Sequence, residues 1–364
     1  MLRVVHLDTG KELRGGQRQL LLLARGLRER GHEQLVVCPE GSALEARARQ
    51  EGLRVFALPR HDPGQANGIV QLRTQLLAEP AHILHAHDGR GQTLSWLASL
   101  GLPVRRVASR RVTFLPDTRA RHRFIYRRTC HAVIAVSEFI RQLLVGSGIP
   151  EASIEVIPDG IEIPAELPSP EARRRARAQW GLTPEEFVIG HVGAFTPEKG
   201  QDVAIQAIRL VAERLPQARL LLAGSVPHDA APQIEEQVRT AQGRVRLLGY
   251  LEDLADFFAA LDLFIMPSRA EGLGSSALMA MAHGCAVVAS RVGGLAEVVD
   301  EGRTGWLVPA ESPRDLADAI AAAASDRARL NQFGANAREW ARQFSSDIMR
   351  ERTEELYRRL LAQS

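Results

Sequence analysis

Short apolar runs alternate with amphipathic helical patterns along most of the chain. The run "LRVVHLD" (2–8) has the length and β-branched content of a buried strand, and "QRQLLLLARGLRERG" (17–31) has apolar residues at helical spacing before a glycine. Strands that alternate with helices form parallel sheets with helices on both faces. The pattern therefore predicts a doubly wound α/β protein.

One segment interrupts the alternation. Residues 161–186 are rich in proline and charge, which predicts an interdomain hinge with a short helix. Strand patterns stand at 33–39, 54–59, 82–88, 104–109, 131–137 and 154–160 before it, and at 187–193, 218–224, 244–249, 263–268, 285–290 and 305–309 after it. We expect two Rossmann-like domains, 1–165 and 166–345. Because ligands of open α/β sheets bind beyond the carboxyl ends of the strands, a ligand site is expected in a central cleft between the domains.

Composition and charge are those of an ordinary globular protein. The chain has 364 residues, of which 45% are hydrophobic and 24% charged, and its net charge of +3 does not indicate nucleic-acid binding. Cys38, Cys130 and Cys285 have neither disulfide nor zinc-site spacing, so reduced thiols and a cytoplasmic location are expected. The N-terminus reads as a strand rather than a signal peptide, and no apolar run of about 18 residues predicts a membrane span.

Glycines and one unusual lysine follow two of the predicted strands. Gly15 and Gly16 precede a helix, where backbone can approach an anion or a sugar, although an ordinary flexible loop is the alternative. Without G-x-G-x-x-G spacing, the pair does not indicate a nicotinamide cofactor. Lys199 is one of only two lysines, with Lys11, and stands where a helix begins. We interpret Lys199 as a phosphate contact, against the alternative of a surface lysine.

A lone carboxylate, Glu271, precedes a wholly apolar helix in "AEGLGSSALMAMAHG". It either caps that helix or accepts hydrogen bonds from sugar hydroxyls in a glycine-lined site. Ser275 and Ser276 are good first residues for the helix, and its unpaired N–H groups would face the cleft. Gly293-Gly294 opens a further helix after a strand. Several such helix starts around one cleft favour a diphosphate ligand.

The first half also contains a cationic segment. Residues 105–128 hold nine arginines and a single acid. A solvated helix face is one interpretation, and a surface for an anionic acceptor or an anionic membrane is the other. Arg110 and Arg111 directly follow a strand and are the favoured acceptor contacts. His87 and Asp88 end the strand pattern "HILHAHD", where His87 is either a base or acceptor contact or a core histidine.

Taken together, the segments resemble the retaining glycosyltransferases of family 4, which have the GT-B fold. The resemblance spans nearly the whole chain and rests on the order of its pieces. They include "GGQRQLLLLARGLRERGHEQLVV", "ILHAHD", "AVIAVSEFIRQLL", "IEVIPDGI", "VGAFTPEKG" and "RVRLLGYLEDLADFFAALDLFIMPSRAEGLGSSALMAMAHGCAVVASRVGGLAEVVDEGRTGWLVP".

The resemblance implies a nucleotide-sugar donor on the C-terminal domain, an acceptor on the N-terminal domain, and a final helix at 346–364 that crosses back to the N-terminal domain. Lys199 matches the family's pyrophosphate-binding lysine, and Glu271 matches the first Glu of its E-x(7)-E motif, which holds donor-sugar hydroxyls. The implied donor-binding residues are Gly15, Gly16, Lys199, Gly249, Tyr250, Leu251, Glu271, Gly272, Leu273, Gly274, Ser275 and Ser276.

The implied reaction is hexosyl transfer with loss of a nucleoside diphosphate. Lys199 and helix N–H groups would stabilise the leaving charge, Glu271 would position the donor, and His87 is the candidate base. With no Asp-x-Asp after a strand of the second domain, we expect neither a metal nor a cofactor. The expected acceptor is an anionic glycan or lipid-linked glycan of lipopolysaccharide or envelope-polysaccharide synthesis. The expected location is cytoplasmic, with peripheral contact to the inner face of the membrane as an open alternative.

Three positions depart from the family pattern. Ala194 stands where an Arg usually contacts phosphate, Met279 stands where the second Glu of the E-x(7)-E motif usually binds ribose, and "ASRRVTF" (108–114) replaces a common histidine. These departures motivate a second hypothesis, a catalytically impaired GT-B protein that binds a ligand or partner. A nucleotide-sugar 2-epimerase would need acidic and histidine groups around the sugar C2, which the sequence does not clearly supply.

Overall fold

A computed structural model describes residues 1–59, 66–113, 126, 129–227 and 231–363. The chain divides into two compact units. Unit 1 comprises Met1–Gly160 and Ser346–Ser364, and unit 2 comprises Ile161–Ser345. Among the described helices, none is long and apolar enough to cross a membrane.

Unit 1 is built on a parallel sheet of seven described strands in the order β3-β2-β1-β4-β5-β6-β7. The strands are Arg3–Leu7 (β1), Glu33–Pro39 (β2), Arg54–Leu58 (β3), Ile83–Ala86 (β4), Arg105–Arg110 (β5), Ala132–Ala135 (β6) and Ile154–Val156 (β7). The first helices are Gly15–Glu29 (α1), Ala43–Gln50 (α2), Ala66–Ala78 (α3), Gly89–Ala98 (α4) and Glu138–Gly146 (α5). The order changes direction between β1 and β4, which is the doubly wound arrangement.

Unit 2 has a second parallel sheet, with described strands in the order β10-β9-β8-β11-β12-β13. They are Phe187–Val192 (β8), Ala218–Ala223 (β9), Val245–Gly249 (β10), Leu263–Met266 (β11), Ala286–Ser290 (β12) and Gly305–Val308 (β13). The helices are Pro170–Gln179 (α6), Gln201–Val211 (α7), Ala231–Thr240 (α8), Ala255–Ala260 (α9), Ser275–Ala282 (α10), Leu295–Val298 (α11), Pro313–Ser325 (α12) and Arg327–Ala341 (α13).

The last helix, Ser346–Ala362 (α14), packs within unit 1. Its Tyr357 is fully buried in one core with Leu23 and Leu27 of α1. The Arg350 side chain of this helix lies over Gly26 of α1, with its Cδ 1.7 Å from where a Cβ would stand. A larger residue at position 26 would require this arginine side chain to move.

The two doubly wound parallel sheets predicted from the alternation are confirmed. The element ends differ from the pattern at a few places. The strand predicted at 154–160 ends at Val156, because Pro158 has no N–H for a ladder hydrogen bond. The short helix predicted inside 161–186 is α6, where the Ser169 hydroxyl accepts a hydrogen bond from the N–H of Ala172 and caps the helix.

Candidate functional site

In unit 2, the predicted site residues follow three neighbouring strands. Strands β8, β11 and β12 are adjacent in the sheet, so the loops after their carboxyl ends meet at one edge. Lys199 follows β8, Glu271 follows β11, and Gly293-Gly294 follows β12. The carboxyl edge of a parallel sheet is where such folds bind ligands.

The centre of this edge is an ion pair between Lys199 and Glu271. The Lys199 Nζ atom donates a hydrogen bond of 2.5 Å to Oε1 of Glu271, and the Ser268 hydroxyl donates one of 3.1 Å to the same oxygen. The Glu271 side chain is 9% exposed and that of Lys199 is 29% exposed. The pair therefore combines a nearly buried carboxylate with a cation that a ligand can reach.

The structure decides between the two interpretations of Glu271. Helix α10 has Gly274 as its N-cap, with a φ of 102° and no side-chain capping bond. Oε1 of Glu271 instead accepts from Lys199 and Ser268. Glu271 is therefore not the cap of α10. The N–H groups of Ser275 and Ser276 lie in the first turn, where a helix leaves its donors without an intrahelical acceptor.

The glycine pair after β12 serves packing. A Cβ on Gly293 would stand 2.0 Å from the carbonyl oxygen of Glu271, and one on Gly294 would stand 2.3 Å from that of Gly272. The N–H of Gly294 donates to the Glu271 carbonyl at 3.1 Å. The sequence places this pair among the helix starts that favour a diphosphate ligand, and in the structure the loop that carries Glu271 packs against both glycines.

Arg269 is a residue that the sequence reasoning missed. Its guanidinium donates to both carboxylate oxygens of Asp202, at 2.9 and 2.7 Å, and to Glu311 at 2.9 Å. It also donates to the carbonyl of Pro197, and its backbone N–H donates to the carbonyl of Glu198, both at 2.7 Å. Arg269 thus joins the loop of Lys199 to the loop of Glu271. No local sequence signal marks it, because Asp202 lies 67 residues away along the chain.

The other predicted donor residues lie along the same edge. Gly249 ends β10 with a φ of 68°, and its carbonyl accepts from the N–H of Gly224 at 2.7 Å. Tyr250 follows it and is 55% exposed. Gly272 and Leu273 are buried in the loop between Glu271 and α10. Ala194 follows β8 and Met279 lies on α10, both partly buried.

In unit 1, four side chains form a hydrogen-bonded chain beneath the carboxyl ends of β1 and β4. Arg111 Nη1 lies 3.3 Å from Nδ1 of His87, His87 Nε2 lies 3.0 Å from Nδ1 of His6, and His6 Nε2 lies 2.9 Å from Oε1 of Gln34. Because arginine only donates and the amide oxygen only accepts, the chain determines one tautomer for His6 and one for His87. Each imidazole carries its proton on Nε2, and His87 Nδ1 accepts from Arg111.

His85 completes a cluster of three buried imidazoles. Its Nδ1 lies 2.6 Å from the Tyr357 hydroxyl, and its Nε2 lies 2.8 Å from the Ser109 hydroxyl. The ligand atoms of His6, His85 and His87 lie within 4.8 Å of one another, a set that could hold a transition metal. All six ring nitrogens already have a hydrogen-bond partner, and the guanidinium of Arg111 opposes a second cation.

Burial keeps these imidazoles neutral. It lowers the pKa of His6 to about 4, and it lowers the pKa of His85 and of His87 well below the ordinary value, with further lowering from Arg111. His87 can act as a base only if Arg111 leaves Nδ1, because the other nitrogen carries the proton. The base role of His87 therefore stays a prediction that depends on Arg111.

Arg110, the last residue of β5, and Arg111, which follows the strand, have different surroundings. Arg111 donates from Nε to Asp159 Oδ1 at 2.8 Å, and both side chains are largely buried, with 14% and 9% exposed. Arg110 instead has two buried nitrogens, Nε and Nη2, without a hydrogen-bond partner among the described residues. Tyr126 lies beside Arg110 and is 6% exposed. Arg110 is thus the member of the pair with donors left for an anion.

Asp88 holds the loop that follows β1, and Gly15 and Gly16 stand at the end of this loop, where α1 begins. Asp88 Oδ2 accepts from the N–H and hydroxyl of Thr9, both at 2.6 Å, and Oδ1 accepts from the N–H of Gly91 as the cap of α4. These bonds favour a structural role for Asp88 over the predicted acceptor contact. Gly15 is exposed and Gly16 half-buried in the first turn of α1, where a Cβ on Gly16 would stand 3.9 Å from Cδ of Arg111.

Most of the cationic segment predicted at 105–128 lies outside the described residues. Of its nine arginines, Arg105, Arg106, Arg110 and Arg111 are described. The interpretation of the whole segment as an acceptor or membrane surface therefore stays a prediction.

Comparisons with known proteins place both units in one class. Residues 13–163 match the family described as Glycosyltransferase Family 4, and residues 186–326 match Glycosyl transferases group 1. The chain is 29% identical to a GDP-mannose-dependent alpha-(1-6)-phosphatidylinositol monomannoside mannosyltransferase of Mycolicibacterium smegmatis, over 90% of each chain. It is 28% identical to D-inositol 3-phosphate glycosyltransferase 2 of Catenulispora acidiphila, over 85% of this chain and 78% of that one.

Among solved structures, the chain is similar to Anabaena Alr3699/HepE, which has been determined in complex with UDP and glucose. The TM-score is 0.88 at 23% identity, and the match covers 98% of this chain and 99% of that one. The GT-B fold expected from the sequence is confirmed by this likeness.

The neutral histidine cluster predicts a pH dependence of stability. In an unfolded chain, histidines titrate near 6.5. Because the folded pKa of His6 is about 4, the unfolded state binds more protons between these values, and stability falls as the pH is lowered from about 6.5 towards 4. Each such histidine contributes a slope of up to about 1.4 kcal/mol per pH unit. Urea unfolding at pH 7.5, 6.5 and 5.5 measures this change of the unfolding free energy. These pH values lie above the range in which most carboxylates titrate.

His6→Gln is the matched variant for this measurement. The glutamine cannot take up a proton, so the decrease in unfolding free energy from pH 6.5 to 5.5 should be shallower than in the parent chain. An unfolding free energy that stays constant from pH 7.5 to 5.5 in the parent chain would contradict the neutral cluster.

Proposed function

Since the chain belongs to the glycosyltransferases of the family 4 type, we propose that it transfers a hexose-type sugar from a nucleoside diphosphate to a hydroxyl of an anionic glycan or lipid-linked acceptor. The observation that supports this most is the Lys199–Glu271 pair at the carboxyl edge of unit 2. The pair offers a cation suited to a diphosphate and a carboxylate suited to sugar hydroxyls, side by side.

Donor binding has to open this pair. In the structure, Lys199 and Glu271 compensate each other's charge through a bond of 2.5 Å. A diphosphate carries more charge than one carboxylate and is the stronger partner for Lys199. Glu271 then has an oxygen available to accept from hydroxyl groups of the sugar, while Ser268 still holds the carboxylate in place. In this proposal, the ion pair between Lys199 and Glu271 is the resting state of the donor site before a donor binds.

The leaving group determines the chemistry. As the glycosidic bond to the diphosphate breaks, negative charge develops on the phosphate oxygens, where Lys199 and the first-turn N–H groups of Ser275 and Ser276 can stabilise it. We propose a retaining, metal-independent transfer in which the leaving phosphate accepts the proton of the acceptor hydroxyl. In that scheme Glu271 positions the sugar and does not attack it.

Relatives support an anionic acceptor. The two relatives described above are named for phosphatidylinositol mannoside and inositol 3-phosphate, both of which carry a phosphate group. In this chain, Arg110 has two buried N–H groups without a partner among the described residues, and an acceptor phosphate or carboxylate would satisfy them. The predicted lipopolysaccharide or envelope-polysaccharide pathway is one source of such an acceptor. The donor base stays open, since relatives or structural neighbours are named with GDP-mannose and with UDP.

A second candidate function is a GT-B protein that binds a nucleotide and does not turn it over. Ala194 and Met279 favour it, because an alanine cannot contact phosphate as an arginine does and a thioether cannot hold ribose hydroxyls as a carboxylate does. The experiment below separates the two functions.

The main test uses the full chain with UDP-, GDP- and ADP-sugars and phosphorylated acceptors. We expect transfer with one donor, and a loss of about 10²–10³-fold in kcat in Lys199→Gln. Glu271→Gln should lose transfer to a similar extent, yet bind the corresponding nucleoside diphosphate several-fold more tightly, because Lys199 no longer has a competing carboxylate. Titration calorimetry measures the binding, and product formation measures the transfer.

The matched control is Glu301→Gln, the same substitution in an exposed ion pair with Arg291 in unit 2. It should leave both transfer and nucleotide affinity unchanged. Full turnover in Glu271→Gln would contradict the proposal that Glu271 belongs to the donor site. Tight nucleotide binding without turnover of any donor would favour the second function.

Arg110 separates an anionic acceptor from a neutral one. Arg110→Gln should raise the KM for a phosphorylated acceptor about tenfold, the cost of one charge-assisted contact, with little change in kcat. The dephosphorylated form of the same acceptor provides the control and should respond equally in the parent chain and the variant. An equal rise in KM for the phosphorylated and the dephosphorylated acceptor would contradict a contact between Arg110 and the acceptor's charge, and would indicate that the substitution disturbs the fold.

A further inference from the structure

Unit 2 has an open cavity of about 400 Å³ at the opposite edge of its sheet from Lys199. Asp262 and Cys285, which line it, directly precede β11 and β12, whereas Glu271 and Gly293 lie in the loops that follow these strands. Because parallel strands place all their amino ends at one edge, the cavity is separate from the donor site. Nothing in the proposed glycosyl transfer uses it.

The floor of the cavity has more positive than negative charge. Oδ1 of Asp262 accepts from Arg173 at 2.8 Å and from Arg327 at 2.7 Å, and Oδ2 accepts from Arg177 at 2.7 Å and from the N–H of Val188 at 2.7 Å. Three guanidinium groups thus share one carboxylate. Among the described residues that line the cavity, Asp262 is the only acid, and Arg173 and Arg327 are the arginines. This lining therefore carries one more positive than negative charge.

The three arginines are not equally engaged. Arg173 and Arg177 also donate to the carbonyls of Ala259, Ala260 and Leu261 at the end of α9, which fixes them in place. Burial lowers the pKa of Arg173, as expected for a cation that is costly to desolvate. Arg327 bonds to Asp262 and lies over the Phe187 ring at 4.8 Å, and 52% of its side chain is exposed. Arg327 is the cation that a molecule in the cavity would meet.

Apolar and polar surface contribute about equally to the lining of the cavity. Its apolar residues include Leu167, Pro168, Leu330 and Ala335, and the rings of Phe258 and His283, which also line it, stack with 4.6 Å between their centroids. Burial lowers the pKa of His283, so its ring adds no charge at neutral pH. A lining that combines arginines with apolar side chains favours a ligand that carries an anionic group on an apolar body.

We propose that this cavity, which we call the amino-edge pocket, binds a small organic anion whose carboxylate or phosphate contacts Arg327 and Arg173. The anion would neutralise part of the excess charge around Asp262, and the body of the molecule would lie against Phe258 and Leu330. The ligand is a free small molecule, since a volume of about 400 Å³ accommodates one of modest size.

The test compares three probes on the full chain: phenyl phosphate, inorganic phosphate and phenol. Phenyl phosphate has both the charge and the apolar body and should bind saturably, about tenfold more tightly than inorganic phosphate. Phenol should bind weakest of the three. Titration calorimetry gives the affinities, and the melting temperature should rise with phenyl phosphate concentration, as for any ligand of the native state.

Two variants in the first turn of α13 assign the site. Arg327→Gln should weaken the binding of phenyl phosphate at least fivefold. Arg329→Gln is the matched control and should leave this binding unchanged, because Arg329 is exposed and does not line the pocket. Lys199→Gln excludes binding at the donor site and should leave the affinity unchanged. Unchanged affinity in Arg327→Gln, or equal affinities for phenyl phosphate and inorganic phosphate, would overturn the proposal.

Discussion

The loops at the carboxyl edge of unit 2 are held together around one nearly buried carboxylate, Glu271. Lys199 and Ser268 bind its side chain, the N–H of Gly294 binds its carbonyl, and Arg269 ties its loop to the loop of Lys199. A buried charge is stable only when it is paired and hydrogen-bonded. The same contacts that satisfy Glu271 therefore also fix the position of the cation beside it, before any ligand binds.

Unit 1 differs from unit 2 in that the ionisable groups at the centre of its cluster are buried in their neutral form. His6, His85 and His87 stay neutral because desolvation costs more than the surrounding acceptors return, and Arg111 is compensated by Asp159. Arg110, in contrast, has two buried N–H groups without a partner among the described residues. The two units thus present different chemistry: a paired cation and anion in unit 2, and a partly unpaired arginine together with a neutral histidine cluster in unit 1.

The sequence predicts the parts of this account that are local in the chain. Periodicity gives the strands, and the position of Lys199 and Glu271 after strands marks them as ligand contacts. Contacts between distant residues have no such signal. Arg110 and Arg111 are adjacent and alike in the sequence, and the residues that bind Arg111 are distant from it: Asp159, for example, lies 48 residues further along the chain. The packing of the Glu271 loop on Gly293 and Gly294 has no signal in the sequence for the same reason, since that loop lies more than 20 residues away along the chain.

The central claim is that Lys199 and Glu271 form a resting pair which a nucleotide-sugar separates. A crystal structure of the chain with its donor measures this directly. The account predicts that Lys199 Nζ lies within hydrogen-bond distance of a phosphate oxygen, that Glu271 accepts from a sugar hydroxyl, and that the 2.5 Å bond between them is broken. A diphosphate bound elsewhere, with this bond intact, would contradict the claim.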